Sequence, residues 1–276
     1  MDWLYHILYG ALSGLADILP VSAPAHQQLF NAMIPDDTIS PLTRLMVHMA
    51  MFGALYYTCH NQLIRIARAV KLARIPKRRR KRPLDTKSLM ELQMLKTMAI
   101  PVIIGFIFYS KATAFVNTLM VMSVMLLING LILYIPQYLP GSNKDARSMT
   151  PVDSFLMGLG GGLAVLPGIS AIGVTTSIGS VRGGEKSFNF QIALTMNMGV
   201  MMGVILMDII GMFATGMDVD GFMGFLCTCV AAAAAFGGCM LGIRLMKKLA
   251  QKAGFGIFAY YCWGAALFSF ILYLTT

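Results

Sequence analysis

Charged residues are scarce in this sequence. Asp, Glu, Lys and Arg make up 12% of the chain, hydrophobic residues make up 57%, and the mean hydropathy is +0.69. Because soluble domains carry about 25% charged residues, this composition excludes an ordinary water-soluble enzyme. Apolar stretches recur along nearly all of the chain at about 20 residues each, which is the length that a helix needs to cross a bilayer. The sequence therefore predicts an all-α polytopic membrane protein.

Two further features are absent. The N-terminal stretch "MDWLYHILYG" has no basic segment and no small-residue cleavage site, so we expect no removable signal peptide. The five cysteines form no Cys-x-x-Cys pair and have no histidine at zinc-ligand spacing. Since cysteine is commonly buried as a small apolar side chain, we assign these residues to helix packing and to no chemistry.

The positive charge is concentrated in one part of the chain. Residues 61–97 carry 12 of the 22 Lys and Arg residues, and 77–82 read "KRRRKR". Such a run is compatible with nucleic-acid binding or with a cytoplasmic loop beside anionic lipid headgroups. The surrounding apolar segments favour the second interpretation. We therefore expect anionic membrane lipids, and no nucleic acid, as partners of the run at 77–82.

A ten-residue phrase occurs twice. Residues 14–23 read "GLADILPVSA" and residues 162–171 read "GLAVLPGISA". Pro and Gly inside an apolar run interrupt a helix, so each copy predicts a helix that breaks and restarts. We interpret 1–34 and 151–180 as re-entrant helical hairpins.

The remaining apolar segments predict two related halves, 1–137 and 138–276. The predicted spans lie at 41–60, 90–110 and 113–135 in the first half and at 188–214, 218–243 and 254–276 in the second. Three crossings per half would insert the second half in the opposite orientation. The loops that would then share the cytoplasmic side all carry Lys or Arg, as the positive-inside rule requires: 61–89, 138–154, 181–186 and 244–252. In such an inverted repeat, two broken helices meet near the midplane and form one site.

The two breaks carry candidate binding residues. A restarted helix presents amide groups without partners, which attract anions. The polar side chains are Ser13, Asp17, Ser22 and His26 at the first break, and Ser170, Thr175, Thr176 and Ser177 at the second, with Gly168 and Gly173 allowing close backbone approach. These residues predict a pocket for an anionic headgroup, with a cation on Asp17.

Other roles stay open for several of these residues. A hydroxyl inside a membrane commonly bonds to its own helix, and His26 has the alternative of pairing with Asp17. An acid within a span is costly and usually functional. The sequence leaves open whether His48 faces the cavity or is a structural histidine, and whether Asp208 only reaches interfacial water.

The stretches "SGLADILPVSAPAH" and "PGISAIGVT" resemble the two motifs of the undecaprenyl-diphosphate phosphatase family, also called the bacitracin-resistance family. The resemblance covers essentially the whole chain. It implies an integral membrane enzyme of the bacterial cytoplasmic membrane, with two re-entrant hairpins and a site open to the outer face. Such enzymes remove one phosphate from the diphosphate of the C55 lipid carrier, a step of peptidoglycan biosynthesis.

The sequence departs from these motifs at positions that matter for chemistry. Ser13 and Asp17 take the places of the family's two acids. Ala23, Ala171 and Ile172 replace a serine, the motif arginine and a second serine. An arginine clamps phosphate with two parallel hydrogen bonds that no alanine replaces. Arg182 and Lys186 are alternative cations, but we expect both at the cytoplasmic edge of the second hairpin.

The resemblance implies roles for the motif residues that remain: Pro20, Ser22, His26, Pro167, Gly168, Ser170 and Thr175. His26, Asp17 and Ser22 would be catalytic, and Asp17 would also hold Mg²⁺ or Ca²⁺. The phosphate-binding residues would be Ser13, Gly168, Ser170, Gly173 and Thr175.

Two functions follow as alternatives. The first is a hydrolase that binds a polyprenyl phosphate or diphosphate between the hairpins and cleaves it. The second is a non-catalytic transporter, or flippase, of the same lipid on the same scaffold. An unrelated channel finds little support, since the sequence has no ring of charges and no filter motif. The sequence also leaves open whether the chain forms a homodimer.

Overall fold

The computed structural model describes residues 2–34, 39–139, 143–215, 221–252 and 255–275. Within these ranges all regular structure is helical, which confirms the all-α prediction. The helices are α1 (Asp2–Ile18), α2 (Ala23–Met33), α3 (Pro41–Ala73), α4 (Thr86–Ile107), α5 (Tyr109–Phe115), α6 (Leu119–Tyr134), α7 (Pro151–Leu163), α8 (Ala171–Val181), α9 (Lys186–Thr215), α10 (Gly221–Lys252) and α11 (Ile257–Thr275). Two short 3₁₀ helices lie at Lys77–Arg79 and Ile135–Tyr138.

In the part of the chain that the structure describes, five helices are long and apolar enough to cross a membrane: Thr86–Ile107, Leu119–Tyr138, Lys186–Ala214, Gly221–Ala250 and Ile257–Thr275. Their outer faces expose large apolar side chains such as Ile107 and Leu274, as a lipid-facing surface requires. The chain is therefore a multi-pass membrane protein, as predicted. Some residues of the predicted segments lie outside the described residues: 1, 140–142, 218–220, 254 and 276.

The sixth predicted span, 41–60, forms the first part of α3, which is more polar than the other five. This helix continues for 33 residues to Ala73, so residues 61–73 of the predicted basic loop are helical. Its second half packs on α4, where Arg65 Nη2 donates to Glu91 Oε2 at 2.8 Å. The helix ends just before Ile75-Pro76, because the residue preceding a proline disfavours helical geometry.

The loop from 74 to 85 contains the basic run and ends at the start of α4. Asp85 accepts hydrogen bonds from the hydroxyl and the amide of Ser88, at 2.6 and 3.1 Å. These bonds favour the charged carboxylate and lower the pKa of Asp85. The Lys and Arg side chains of 77–82 are mostly exposed, and their contact with anionic lipids stays a prediction.

The two halves of the chain interlock. Helix α1 of the first half packs along α10 of the second, and α7 of the second half packs along α4 of the first. Glycines allow both approaches: a Cβ on Gly14 would lie 2.0 Å from the Ala235 carbonyl oxygen, and one on Gly162 would lie 2.4 Å from that of Pro101. Small residues at helix contacts are typical of membrane proteins. The opposite orientation of the halves across the membrane stays a prediction.

Both predicted helix breaks are present. Helix α1 ends at Ile18 and α2 begins at Ala23; helix α7 ends at Leu163 and α8 begins at Ala171. Gly168 adopts a φ of +105°, which glycine accepts without strain. Ser22 has a φ of 70° and is the only non-glycine residue with a positive φ among those described. Such a conformation is uncommon for a residue with a side chain, and it concentrates at functional sites.

Candidate functional site

The two breaks contact each other directly. The Gly168 amide donates to Ser22 Oγ at 3.0 Å, although the two residues are 146 positions apart. A Cβ on Gly173 would lie 2.9 Å from that of Pro20, so this glycine lets the first turn of α8 approach the first break. The prediction that the two breaks meet in one place is confirmed.

Asn129 of α6 joins the two breaks from a third side. Its Nδ2 donates to the Pro20 carbonyl at 2.9 Å, and its Oδ1 accepts from the Ser170 amide at 3.0 Å. The side chain is fully buried. Sequence reasoning missed this residue, although an amide inside the apolar run "VMLLINGLILY" was a usable signal. A buried amide of this kind is costly unless it is fully hydrogen-bonded.

Several backbone amides that we predicted to bind an anion already have hydrogen-bond partners. The Gly173 amide donates to Ser170 Oγ at 3.1 Å, and the amides of Gly168 and Ser170 are bonded as described above. Thr175 Oγ1 donates to the Met157 carbonyl at 2.9 Å. The phosphate-binding roles of these four residues stay predictions. The serine hydroxyls are different, because a hydroxyl that accepts a bond still has one hydrogen to donate.

Asp17 and Ser22 line a small cavity at the breaks, here called the break cavity. It has a volume of about 50 Å³, and Ser170, Ala171 and Asn197 also line it. Asn197 Nδ2 of α9 donates to Asp17 Oδ2 at 2.9 Å. The break cavity therefore holds one carboxylate and two serine side chains.

A larger cavity, here called the vestibule, adjoins the break cavity. Its volume is about 230 Å³. The two cavities share the lining residues Pro24, Gln27, His48, Ala164, Val200 and Val204. Its polar lining includes Arg44, Asn31 and Asp208, and Phe106 and Tyr109 form part of an apolar wall. The vestibule thus has both charged and apolar lining residues, and it adjoins the break cavity.

His48 and Asp208 form a buried hydrogen-bonded pair in the vestibule. His48 Nδ1 donates to Asp208 Oδ2 at 2.5 Å, and the two side chains are 8% and 9% exposed. Gln27 Nε2 lies 3.3 Å from His48 Nε2 and donates to Ser13 Oγ at 3.0 Å. The sequence alone left the roles of both residues undecided. An ionisable residue inside a span is costly and often functional, which is a sequence signal for both residues. Their pairing, however, depends on the packing of α3 against α9.

His26 points away from both cavities. Its Nδ1 donates to the Ser22 carbonyl at 2.9 Å, and its Nε2 accepts from the Tyr261 hydroxyl at 2.8 Å. The ring also stacks on Tyr261 with the ring centres 5.6 Å apart. His26 thus fixes the backbone of Ser22, and its catalytic role stays a prediction.

The alternative cations lie away from the breaks. Arg182 Nε donates to Asp153 Oδ1 at 2.5 Å at the start of α7. Burial acts to raise the pKa of Asp153, but the Thr150 amide and Arg182 outweigh it and lower that pKa. Lys186 lines a separate cavity of about 330 Å³, here called the α8 cavity, together with Thr176 and Ser177. Among the described residues lining the vestibule and the break cavity, Arg44 is the only Lys or Arg.

The described ranges contain no group of three or more His, Cys, Asp or Glu that could hold a metal ion. Asp17 supplies one carboxylate, and Asn197 supplies an amide beside it. Mg²⁺ is commonly held by one or two carboxylates together with substrate phosphates. The donor set therefore fits a cation shared with a bound phosphate, and it does not fit a cage made by the protein alone.

Comparison with known proteins places this architecture in one family. Residues 6–268 match the family model of the bacitracin resistance protein BacA. The chain is 27% identical over 279 residues to the undecaprenyl-diphosphatase of Methanobrevibacter smithii, and the alignment covers 98% of each protein. It is 29% identical over 265 residues to the undecaprenyl-diphosphatase of Bacteroides thetaiotaomicron, with 95% of this chain and 96% of the relative covered. Since the family match spans nearly the whole chain, this protein belongs to the bacitracin resistance protein BacA family.

Proposed function

We propose that this chain is a membrane phosphatase that removes one phosphate from a polyprenyl diphosphate in the recycling of the lipid carrier. Relatives that align over nearly the whole chain are named undecaprenyl-diphosphatases. The observation that carries the proposal is the direct contact of the two helix breaks through Ser22 and Gly168, with a polar cavity on them. Fold membership alone does not establish an activity, whereas the residues of this site supply groups that could bind a phosphate.

The lipid headgroup lies in the vestibule and reaches the break cavity. The hydroxyls of Ser22 and Ser170 each accept a backbone hydrogen bond, which leaves the hydroxyl hydrogen free to donate to a phosphate oxygen. Phe106 and Val204 provide apolar surface for the first carbons of the polyprenyl tail, which then leaves sideways into the lipid.

Phosphoryl transfer depends mainly on positioning and on neutralising charge over the phosphate oxygens. Asp17 has the position to hold a divalent cation shared with those oxygens. A Mg²⁺ or Ca²⁺ bound there would supply positive charge that stabilises the transition state. His26 orients Ser22 through the bond from its Nδ1 to the Ser22 carbonyl.

The test is phosphate release from a C55 diphosphate by purified protein in detergent, with and without divalent cations. We expect release by the parent protein and a loss of about 10²-fold in kcat/KM for Asp17→Asn or Ser22→Ala. Asp145→Asn and Ser110→Ala are matched controls in an interhelical loop and on α5, and neither residue lines the vestibule or the break cavity. Absence of release from the parent under every cation condition contradicts the proposal.

One observation favours the transporter as a second candidate. The α8 cavity lies beside the C-terminal half of α8, whereas the break cavity lies at the N-terminus of the same helix. Cavities at both ends of one half-helix are compatible with access to the breaks from either side, as in alternating access. The corresponding result is movement of lipid phosphate between the leaflets of proteoliposomes, without any release of inorganic phosphate.

A further inference from the structure

We propose that Arg44 and the hydrogen-bonded pair of His48 with Asp208 form the phosphate-handling group of this chain, in which Arg44 binds the substrate phosphate and His48 accepts a proton from the attacking water. This inference rests on the proposed phosphatase function and assigns residues to it. None of the three belongs to the motifs on which the sequence resemblance depends.

The three side chains line the same cavity although they come from two helices. Arg44 and His48 are four residues apart on α3 and therefore share one face of that helix. Asp208 comes from the C-terminal part of α9, which packs against α3. His48 lines both the vestibule and the break cavity, so it lies where the two adjoin.

The hydrogen bonds of His48 define its tautomer. Asp208 accepts from Nδ1, so the proton of the neutral ring is on that nitrogen. Nε2 then carries the lone pair and accepts from the Gln27 amide, at 3.3 Å. A carboxylate on the far nitrogen of a histidine fixes the ring and stabilises the imidazolium that forms when the other nitrogen takes a proton. This is the arrangement of a general base.

Gln27 leaves His48 accessible. Its amide has two hydrogens, and one of them bonds Ser13 Oγ at the shorter distance of 3.0 Å. The 3.3 Å contact with His48 is weaker, so a water molecule beside a bound phosphate has the means to replace it. His26, in contrast, has stronger partners on both ring nitrogens and lines neither cavity.

Arg44 supplies the charge that a phosphate needs. A guanidinium is always protonated and presents donors that match two oxygens of a phosphate. Arg44 is exposed in the vestibule near the buried Tyr9 hydroxyl. The sequence has alanine at the position of the family's motif arginine, Ala171, and Arg44 provides a cation at the same pair of cavities from a different helix.

The reaction balances as a hydrolysis. Water adds to the terminal phosphorus while His48 Nε2 takes one of its protons, and the bond from that phosphorus to the bridging oxygen breaks. The electron pair of that bond stays on the bridging oxygen, which leaves as part of the polyprenyl monophosphate. The other product is inorganic phosphate, and the proton on His48 returns to solvent through the open vestibule.

The experiment measures kcat and KM for phosphate release from a C55 diphosphate. Arg44→Gln is expected to raise KM at least about 10-fold, with Arg44→Lys in between, because a lysine keeps the charge but not the fork. His48→Gln is expected to lower kcat about 10²-fold with KM nearly unchanged. Asp208→Asn, which alters a positioning residue, should lower kcat about 10-fold or more, again without raising KM.

Matched controls lie on the same helix. Arg68→Gln and His60→Gln change the same residue types on α3, and neither residue lines the vestibule or the break cavity. Thermal melting in detergent identifies any variant that fails to fold, and Arg44→Lys and Asp208→Asn retain the shape of the parent side chains. This inference is overturned, and the proposed function is left standing, if Asp17→Asn is inactive while folded Arg44→Gln and His48→Gln have kcat and KM within about twofold of the parent values. Absence of release from the parent overturns both.

Discussion

The amide of Asn129 is expected to carry much of the stability of the two helix breaks. Replacing it with leucine keeps the size of the side chain but removes both of its bonds to the breaks. The Ser170 amide, now bonded at 3.0 Å, would stay buried without this partner, and the Pro20 carbonyl, now bonded at 2.9 Å, would keep the weaker Cys262 thiol donor at 3.7 Å. An unsatisfied buried group costs about 1–3 kcal/mol, so the Ser170 amide alone should make Asn129→Leu lower the free energy of unfolding by about 1–3 kcal/mol.

The assay is reversible unfolding in mixed micelles, followed by helical circular dichroism. Ser123→Ala is a suitable control on the same helix, because Ser123 is buried and its hydroxyl bonds the Met120 carbonyl within α6. We expect that variant to lose about 1 kcal/mol or less. Asn129→Asp at neutral pH should cost at least as much as Asn129→Leu, since it buries a carboxylate with an oxygen facing the Pro20 carbonyl. If the free energy of unfolding of Asn129→Leu lies within about 0.5 kcal/mol of the parent value, the breaks are stabilised by packing and not by this amide.

Three further predictions concern packing, pH and the missing motif arginine. Gly14→Val should prevent stable folding, at a cost above about 3 kcal/mol, because even a Cβ would collide with α10. The control Gly264→Ala should melt at the temperature of the parent, because a Cβ there meets nothing within 4 Å. Bonds from the Thr150 amide and Arg182 lower the pKa of Asp153 in the folded protein. The charged Asp153 therefore stabilises the fold above the ordinary aspartate pKa of about 4, and this contribution is lost as the pH falls below that value. The melting temperatures of the parent and Asp153→Asn should therefore converge below about pH 4, and a constant difference would contradict the assignment. Ala171→Arg places a guanidinium on the break cavity and should raise kcat/KM for phosphate release about 10-fold; an unchanged or lower rate would mean that the phosphate does not reach that cavity.

The sequence was informative where structure depends on local chemistry. Pro20 and Gly168 interrupt apolar runs, and the breaks lie where those residues predicted them. The length of α3 was underestimated because its second half changes from apolar to basic residues without any helix breaker before Pro76. A change in polarity marks the edge of a membrane, but it does not end a helix.

The composition of the site was only partly predictable, because it depends on contacts between distant residues. Asp17 and Ser22 lie on the break cavity, as their position in the first motif indicated. The pairing of His48 with Asp208 joins residues 160 positions apart, and no local pattern specifies such a pair. His26 was chosen from its position in the motif, whereas the direction of its ring depends on Tyr261 at the other end of the chain.

The interlocking of the two halves has a consequence for biogenesis. Helix α1 is synthesised first, yet its glycine-lined face packs on α10, which the ribosome completes more than 200 residues later. During translation that face has only lipid or insertion machinery as a neighbour, and the first hairpin cannot complete its native contacts until α10 has entered the bilayer. The oldest part of the nascent chain is therefore among the last to mature, and a ribosome that stalls before residue 221 leaves a product whose first helix lacks α10, along which its glycine-lined face packs.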